Sequence, residues 1–158
     1  MLGRPKDVTF AIDRAEQWLR SDERLRDRLD VRRVGVLGHS FGAYTVMVVA
    51  GMRPALDWLV PPVAPGAGLG PDLRDRRVAC GVALSPQGPG EPFFTEASYA
   101  SLAVPLLGIS GSNDKQQHAA PANRRRAFEL SPAGNKHLLW LASADHTAFS
   151  GSTGSSRR

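Results

Sequence analysis

Three residues of this chain have side chains that could together perform nucleophilic acyl transfer. Ser40 lies in the pentapeptide Gly-His-Ser-Phe-Gly, between a short apolar run and an apolar helical pattern. Asp114 and His146 each follow another short apolar run further along the chain. Because a serine hydroxyl is a weak nucleophile at neutral pH, the histidine would take its proton and the aspartate would orient the imidazole ring.

The Gly-x-Ser-x-Gly pattern, in this setting, predicts a sharp turn between a strand and a helix, known as a nucleophile elbow. We expect Gly38 and Gly42 to allow close approach of the two elements, since neither has a Cβ. The backbone N–H of Phe41 would point from the helix N-terminus at a developing oxyanion. Since such a pentapeptide also arises by chance in a chain with 16 glycines, the flanking strand and helix patterns carry the prediction.

Other residues of the same types compete for each role. Asp145 adjoins His146 and is expected to point elsewhere, and Ser85 precedes a proline without the elbow pattern. Asp114 itself has an alternative role at a strand end, because Asn-Asp pairs favour turns. The remaining histidines are expected to be structural or solvated: His39, packed beside its strand, His118 and His137.

The elements that must position these residues follow from the spacing of apolar side chains. Helices are predicted over residues 6–20 (with Asp7 as N-cap), 41–52 and 122–130, and strands over residues 33–37, 77–84, 105–110 and 137–142. Residues 21–29 continue in helical spacing, residues 53–77 form a Pro/Gly-rich surface excursion, and residues 151–158 are predicted to be a disordered tail. Loops after such strands line the ligand crevice of open α/β sheets.

Composition indicates one globular domain over residues 1–150, since the 158-residue chain is 42% apolar and 22% charged. The N-terminus has no apolar signal-peptide core, and no run approaches the roughly 20 apolar residues of a membrane span. We therefore expect a cytoplasmic protein with no membrane partner.

The net charge of +5 comes mainly from arginines scattered among acidic residues, which is typical of solvated helix faces. The unbroken run Arg124-Arg125-Arg126 has no interleaved aromatic residues, so we expect no nucleic-acid partner. Cys80, the only cysteine, lies in an apolar run and is expected to be a small buried core residue. No His/Cys cluster indicates a metal site, and no metal or organic cofactor is implied.

Five segments together resemble the C-terminal part of an α/β-hydrolase, similar to dienelactone-hydrolase-like and platelet-activating-factor-acetylhydrolase-like carboxylesterases: residues 7–13, 36–43, 83–88, 111–114 and 144–149. The order Ser, Asp, His along the chain is also that of α/β-hydrolases. The resemblance implies a reduced α/β-hydrolase core, with about four mainly parallel strands flanked by helices. It places a catalytic triad on Ser40, Asp114 and His146, in a serine carboxylesterase that hydrolyses small or short-acyl esters through an acyl-enzyme on Ser40.

The chain departs from the family in lacking the strands, and the loop with a second oxyanion amide, that usually precede this region. The domain is therefore expected to be truncated, with the nucleophile strand at an edge of the sheet. A homodimer through that edge, or a cover formed by residues 53–77, is expected. The alternatives are a weak or inactive fragment that acts as a binding module, and a hydrolase of lactones, thioesters or polyesters. Aromatic side chains could line a substrate pocket, although core packing is favoured for each: Trp58, Phe93, Phe94 and Tyr99.

Overall fold

The computed structural model of the chain describes residues 2–26, 28–56, 68–90, 93–116 and 119–150. Within these ranges the helices are α1 (Gly3–Ser21), α2 (Phe41–Val49) and α3 (Arg126–Leu130), and the strands are β1 (Val34–His39), β2 (Val78–Leu84), β3 (Leu106–Gly111) and β4 (Lys136–Leu141). Short 3₁₀ helices span Glu96–Ser101, Pro121–Arg125 and His146–Phe149. Residues 57–67 of the predicted excursion, and the predicted tail, lie outside the described residues.

The four strands form one parallel sheet in the order β1-β2-β3-β4. Helices flank the sheet, so the predicted α/β fold with four mainly parallel strands is confirmed. Among the described residues β1 pairs with β2 alone, which makes the strand before Ser40 an edge strand, as predicted. Because all four strands run in the same direction, the loops that follow them meet at one edge of the sheet.

The main core lies between the sheet and α2, whose residues from Ala43 to Val49 are all buried. This helix ends at Val49, three residues before the predicted end at residue 52. Gly51 follows with φ +116, and a Cβ there would lie 2.6 Å from the carbonyl oxygen of Ser101. A left-handed glycine just after a helix is a common termination signal, so the position of Gly51 explains the shorter helix.

Helix α1 differs from its prediction at both ends. It begins at Gly3 with no side-chain cap, so the prediction of Asp7 as N-cap was wrong. It ends at Ser21, so the expected helical continuation over residues 21–29 was also wrong. Asp22 has extended backbone angles, and its carboxylate accepts hydrogen bonds from the backbone and guanidinium of Arg24. This local side-chain to backbone bonding competes with helix formation.

The side chain of Arg77, the residue before β2, fastens α1 to the sheet. Its guanidinium lies 2.7 Å from the Asp13 carboxylate and 2.9 Å from that of Glu16, both on α1. It also lies 2.6 Å from Asp75, and its hydrogen bonds are the largest cause that lowers the pKa of Asp75 to about 2. One partly buried cation thus holds three carboxylates between the helix and the strand.

One face of the sheet is left open by the described helices. Leu37 is 70% exposed, and Cys80 is also exposed. The prediction of a buried Cys80 was therefore wrong: Cys80 pairs with Gly35, two residues before Leu37, so both side chains project from this open face. Within the described ranges, no helix has the length and apolar character needed to cross a bilayer.

Candidate active site

Ser40 occupies a strained turn between β1 and α2, with φ 55 and ψ −115. Positive φ is costly for a residue with a Cβ, so the surrounding structure must hold this turn. The Ser40 N–H donates to the Leu84 carbonyl at 2.9 Å, and the Gln87 side-chain amide donates to the Ser40 carbonyl at 2.8 Å. Tyr99 in turn donates its hydroxyl to the Gln87 carbonyl at 2.8 Å. The loop after β2 thereby supports the serine.

The two glycines of the pentapeptide have different roles. A Cβ on Gly38 would lie 2.5 Å from both the carbonyl carbon and the oxygen of Gly42, so close approach requires glycine at position 38. A Cβ on Gly42 would meet no described atom within 4 Å. The expectation that close approach needs a residue without a Cβ therefore holds for Gly38 and was wrong for Gly42. Gly42 takes part in the close contact through its backbone atoms.

The structure brings Ser40, His146 and Asp114 together at the carboxyl ends of three strands. The Ser40 Oγ lies 2.9 Å from the His146 Nε2, and the His146 Nδ1 lies 2.9 Å from the Asp114 Oδ1. Asp114 is fully buried, and the Ser110 hydroxyl donates to its other carboxylate oxygen at 2.8 Å. When Asp114 is ionised it only accepts hydrogen bonds, so Nδ1 carries the proton and Nε2 presents a lone pair to Ser40.

The loop that carries His146 is held by hydrogen bonds of Asp145 and His39. The Asp145 carboxylate caps the 3₁₀ helix His146–Phe149 by accepting from the N–H groups of Thr147 and Ala148, so it points elsewhere, as expected. The His39 Nε2–H donates to the His146 carbonyl at 3.0 Å, with the two ring centroids 4.6 Å apart. Burial, and then the charge of His146, lower the pKa of His39, which favours its neutral form. The sequence pattern gave no sign of the contact between His39 and His146.

The competing residues do not form a second nucleophilic centre in the part of the chain described. Ser85 is fully buried, and its hydroxyl has no hydrogen-bond partner among the described residues. His137 is exposed on β4, while His118 and Trp58 lie outside the described residues. Of the other expected pocket aromatics, Phe94 and Tyr99 belong to the buried core and Phe93 packs against it. No group of three His, Cys, Asp or Glu side chains in the described ranges could hold a metal ion.

The N-terminus of α2 offers a free amide beside the serine. The first hydrogen bond of the helix joins the Tyr44 N–H to the Ser40 carbonyl at 3.2 Å, and the Phe41 N–H bonds to no described group. The Phe41 ring stacks on Tyr44, and the Arg4 guanidinium covers it at 4.6 Å from the ring centroid. The Phe41 N–H, at the N-terminus of α2, is therefore not used by any described acceptor.

Arg124 is a site residue that sequence reasoning missed. The expectation of a solvated arginine run holds for Arg125, an exposed residue, but was wrong for Arg124, whose side chain is 4% exposed. The Arg124 Nε lies 2.9 Å from the Asp114 Oδ1, and its Nη2 lies 3.2 Å from the His146 Nδ1. Nothing in a run of three identical residues distinguishes the buried member.

The fold is the α/β arrangement found in esterases of known structure. One is an esterase from Pyrococcus furiosus (TM-score 0.50, 18% identity, covering 90% of this chain and 53% of that chain). Another is a truncated carbohydrate esterase from gut microbiota (TM-score 0.51, 16% identity, covering 90% and 60%). The chain thus spans little more than half the length of these structures, and the likeness shows a shared fold. No protein-family model and no curated protein matches the chain.

Proposed function

We propose that the protein is a serine carboxylesterase that hydrolyses small or short-acyl esters through an acyl-enzyme on Ser40. The observation that carries this proposal is the continuous line of contacts from Ser40 through His146 to Asp114, with both distances 2.9 Å. The positive φ of Ser40 and the shared fold of the esterase neighbours support it. The proposed location is the cytoplasm, as expected from the sequence.

In the proposed reaction, the His146 Nε2 takes the hydroxyl proton as the Ser40 Oγ attacks the ester carbonyl. The resulting oxyanion lies against the Phe41 N–H, and Asp114 stabilises the imidazolium. His146 then gives its proton to the departing alcohol, which leaves an acyl group on Ser40. Water, deprotonated by His146, attacks this acyl-enzyme and releases the carboxylic acid, and the proton returns to Ser40.

The same residues would serve hydrolysis of lactones, thioesters or polyesters, which differ from simple esters in the group that leaves. A weakly active or inactive binding module is the second candidate, and the observation that favours it is the single identified oxyanion donor, Phe41 N–H. Loss of one such donor typically lowers turnover by about 10²–10³-fold. Slow turnover is therefore compatible with the leading proposal, whereas turnover independent of Ser40 is not.

The test is hydrolysis of p-nitrophenyl acetate and butyrate by the purified protein beside the variant Ser40→Ala. We expect kcat to fall at least about 10³-fold in this variant, because the nucleophile is lost. The matched control is Ser101→Ala, which removes an exposed serine hydroxyl far from the elbow in sequence and is expected to leave kcat unchanged. Equal rates in the wild-type protein and Ser40→Ala would favour the binding module. Lactone and thioester substrates, compared in the same assay, distinguish the leaving groups.

The edge strand β1 is the proposed site of homodimer formation. The N–H and C=O groups of Gly35 and Leu37 point away from β2, since backbone groups of a parallel strand alternate in direction. Two copies of β1 paired about a two-fold axis would satisfy these groups on both chains. The two Leu37 side chains would then lie beside the junction, on the same open face of the joined sheet.

Light scattering tests the dimer, with an expected mass twice the 17.0 kDa of one chain. The variant Leu37→Lys places a charge at the junction and is expected to shift the particle to the mass of one chain. The variant Phe10→Lys, at an exposed position on α1, is the control and should not change the mass. A wild-type mass of a single chain would exclude the dimer.

A further inference from the structure

We infer that Arg124 is a positioning residue, which holds the Asp114 carboxylate against His146. This inference rests on the proposed function, because it assigns Arg124 a part in activating Ser40. Arg124 lies in the 3₁₀ helix Pro121–Arg125, which follows β3 and the Asp114 loop. Arg124 is therefore not adjacent in sequence to any of the three residues Ser40, Asp114 and His146.

The Arg124 guanidinium joins two of the loops at the carboxyl edge of the sheet. Its Nη1 donates to the carbonyl oxygens of Ser85 and Pro86, at 2.8 and 3.1 Å, in the loop after β2. Its Nε donates to the Asp114 carbonyl at 2.9 Å, and its Nη2 donates to the Lys115 carbonyl at 3.1 Å. A planar guanidinium fixes several acceptors at once, whereas an ammonium group has no such fork. The Asp114 loop is thereby tied to the loop that supports Ser40.

The charge of Arg124 also acts on the Asp114 side chain. The Arg124 Nε lies 2.9 Å from the same carboxylate oxygen, Oδ1, that contacts His146. Asp114 is fully buried, and a buried carboxylate is costly unless it is paired and hydrogen-bonded. Arg124 and the Ser110 hydroxyl together offset that cost and fix which oxygen faces the histidine.

Arg124 also contacts the His146 ring, and this contact depends on the tautomer of the imidazole. The Arg124 Nη2 lies 3.2 Å from the His146 Nδ1, and a guanidinium can only donate. Arg124 can therefore bond to Nδ1 only in the tautomer in which Nδ1 is unprotonated, which leaves Nε2 protonated and unable to act as base. Asp114 selects the opposite tautomer, because its oxygen accepts the Nδ1 proton at 2.9 Å. Arg124 thus supports catalysis only while the Asp114 carboxylate is present.

The test is a double-mutant cycle of Arg124→Gln and Asp114→Asn. We measure kcat and KM for p-nitrophenyl butyrate and the rate constant for fluorophosphonate labelling. In the wild-type background we expect Arg124→Gln to lower kcat about 10²-fold with KM changed less than about twofold, since misplaced catalytic groups mainly affect chemistry. In the Asp114→Asn background the same substitution should change kcat less than about threefold, because residues that act as a unit are not additive.

Two further variants complete the design. Arg124→Lys keeps the cation but loses the fork, so it should recover part of the lost kcat. Arg125→Gln removes the neighbouring exposed arginine and should leave kcat unchanged. If Arg124→Gln does not fold, as judged by its thermal melt, the cycle is run with Arg124→Lys against Asp114→Asn.

An equal loss of kcat in both backgrounds would show that Arg124 only stabilises the fold, and no loss in the wild-type background would show that it has no role. Either result overturns the inference while leaving the proposed function intact. A wild-type protein without esterase activity and without labelling would instead contradict the proposed function, and the inference with it.

Discussion

Replacing His146 with glutamine is expected to lower kcat for p-nitrophenyl butyrate by about 10⁴-fold, at the upper end of what general-base catalysis contributes. His146 lies 2.9 Å from both Ser40 and Asp114, so this one ring links the nucleophile to the buried carboxylate. Glutamine keeps a polar side chain of similar length but cannot accept and return the proton. Steady-state kinetics at pH 7 check the prediction, with KM expected to change far less than kcat.

The matched control for this experiment is His137→Gln, at an exposed histidine on β4. It removes the same functional group without contact to Ser40, so kcat should match that of the wild-type protein. Comparable activity in His146→Gln and His137→Gln would mean that His146 is not the base, whatever the distances in the site.

The second large effect is expected at Gly38. Its Cβ in Gly38→Ala would lie 2.5 Å from the backbone of Gly42, and backbone atoms cannot rotate away as a side chain can. We expect the free energy of unfolding to fall by about 3 kcal/mol, at the upper end of the usual cost of overpacking. Urea denaturation followed by circular dichroism measures the change.

Gly42→Ala is the matched control, because it adds the same methyl group at the second glycine of the pentapeptide. A Cβ at this position meets no described atom within 4 Å, and alanine is favourable within a helix. Its free energy of unfolding should stay within about 0.5 kcal/mol of the wild-type value. Equal losses in the two variants would show that the elbow does not depend on the close contact between Gly38 and Gly42.

The strands, and the residues that meet at their ends, could be predicted from the sequence for a simple reason. Each strand is a short apolar run bounded by turn residues, and every predicted strand lies within two residues of its observed bounds. The residues that follow such runs must meet when the strands are parallel and adjacent. The proximity of Ser40, Asp114 and His146 therefore followed from local patterns and from one rule about sheets.

The features that the sequence did not reveal depend on contacts between distant segments. Cys80 is exposed because no described helix covers its face of the sheet, and an apolar run looks the same whether it is covered or open. Arg124 is buried because its acceptors are backbone carbonyls contributed by two other loops. Backbone groups have no residue-specific signature, so neither feature has a counterpart in residue type or spacing.

Reaction with a fluorophosphonate tests the central claim, an activated Ser40, most directly. The Ser40 Oγ would displace fluoride from phosphorus and form a stable phosphonyl ester, which mass spectrometry locates in the chain. We expect one label per chain, on the peptide that contains Ser40, with no label in Ser40→Ala and much slower labelling in His146→Gln. Labelling of Ser40→Ala at the wild-type rate, or no labelling of the wild-type protein, would contradict the proposed serine hydrolase.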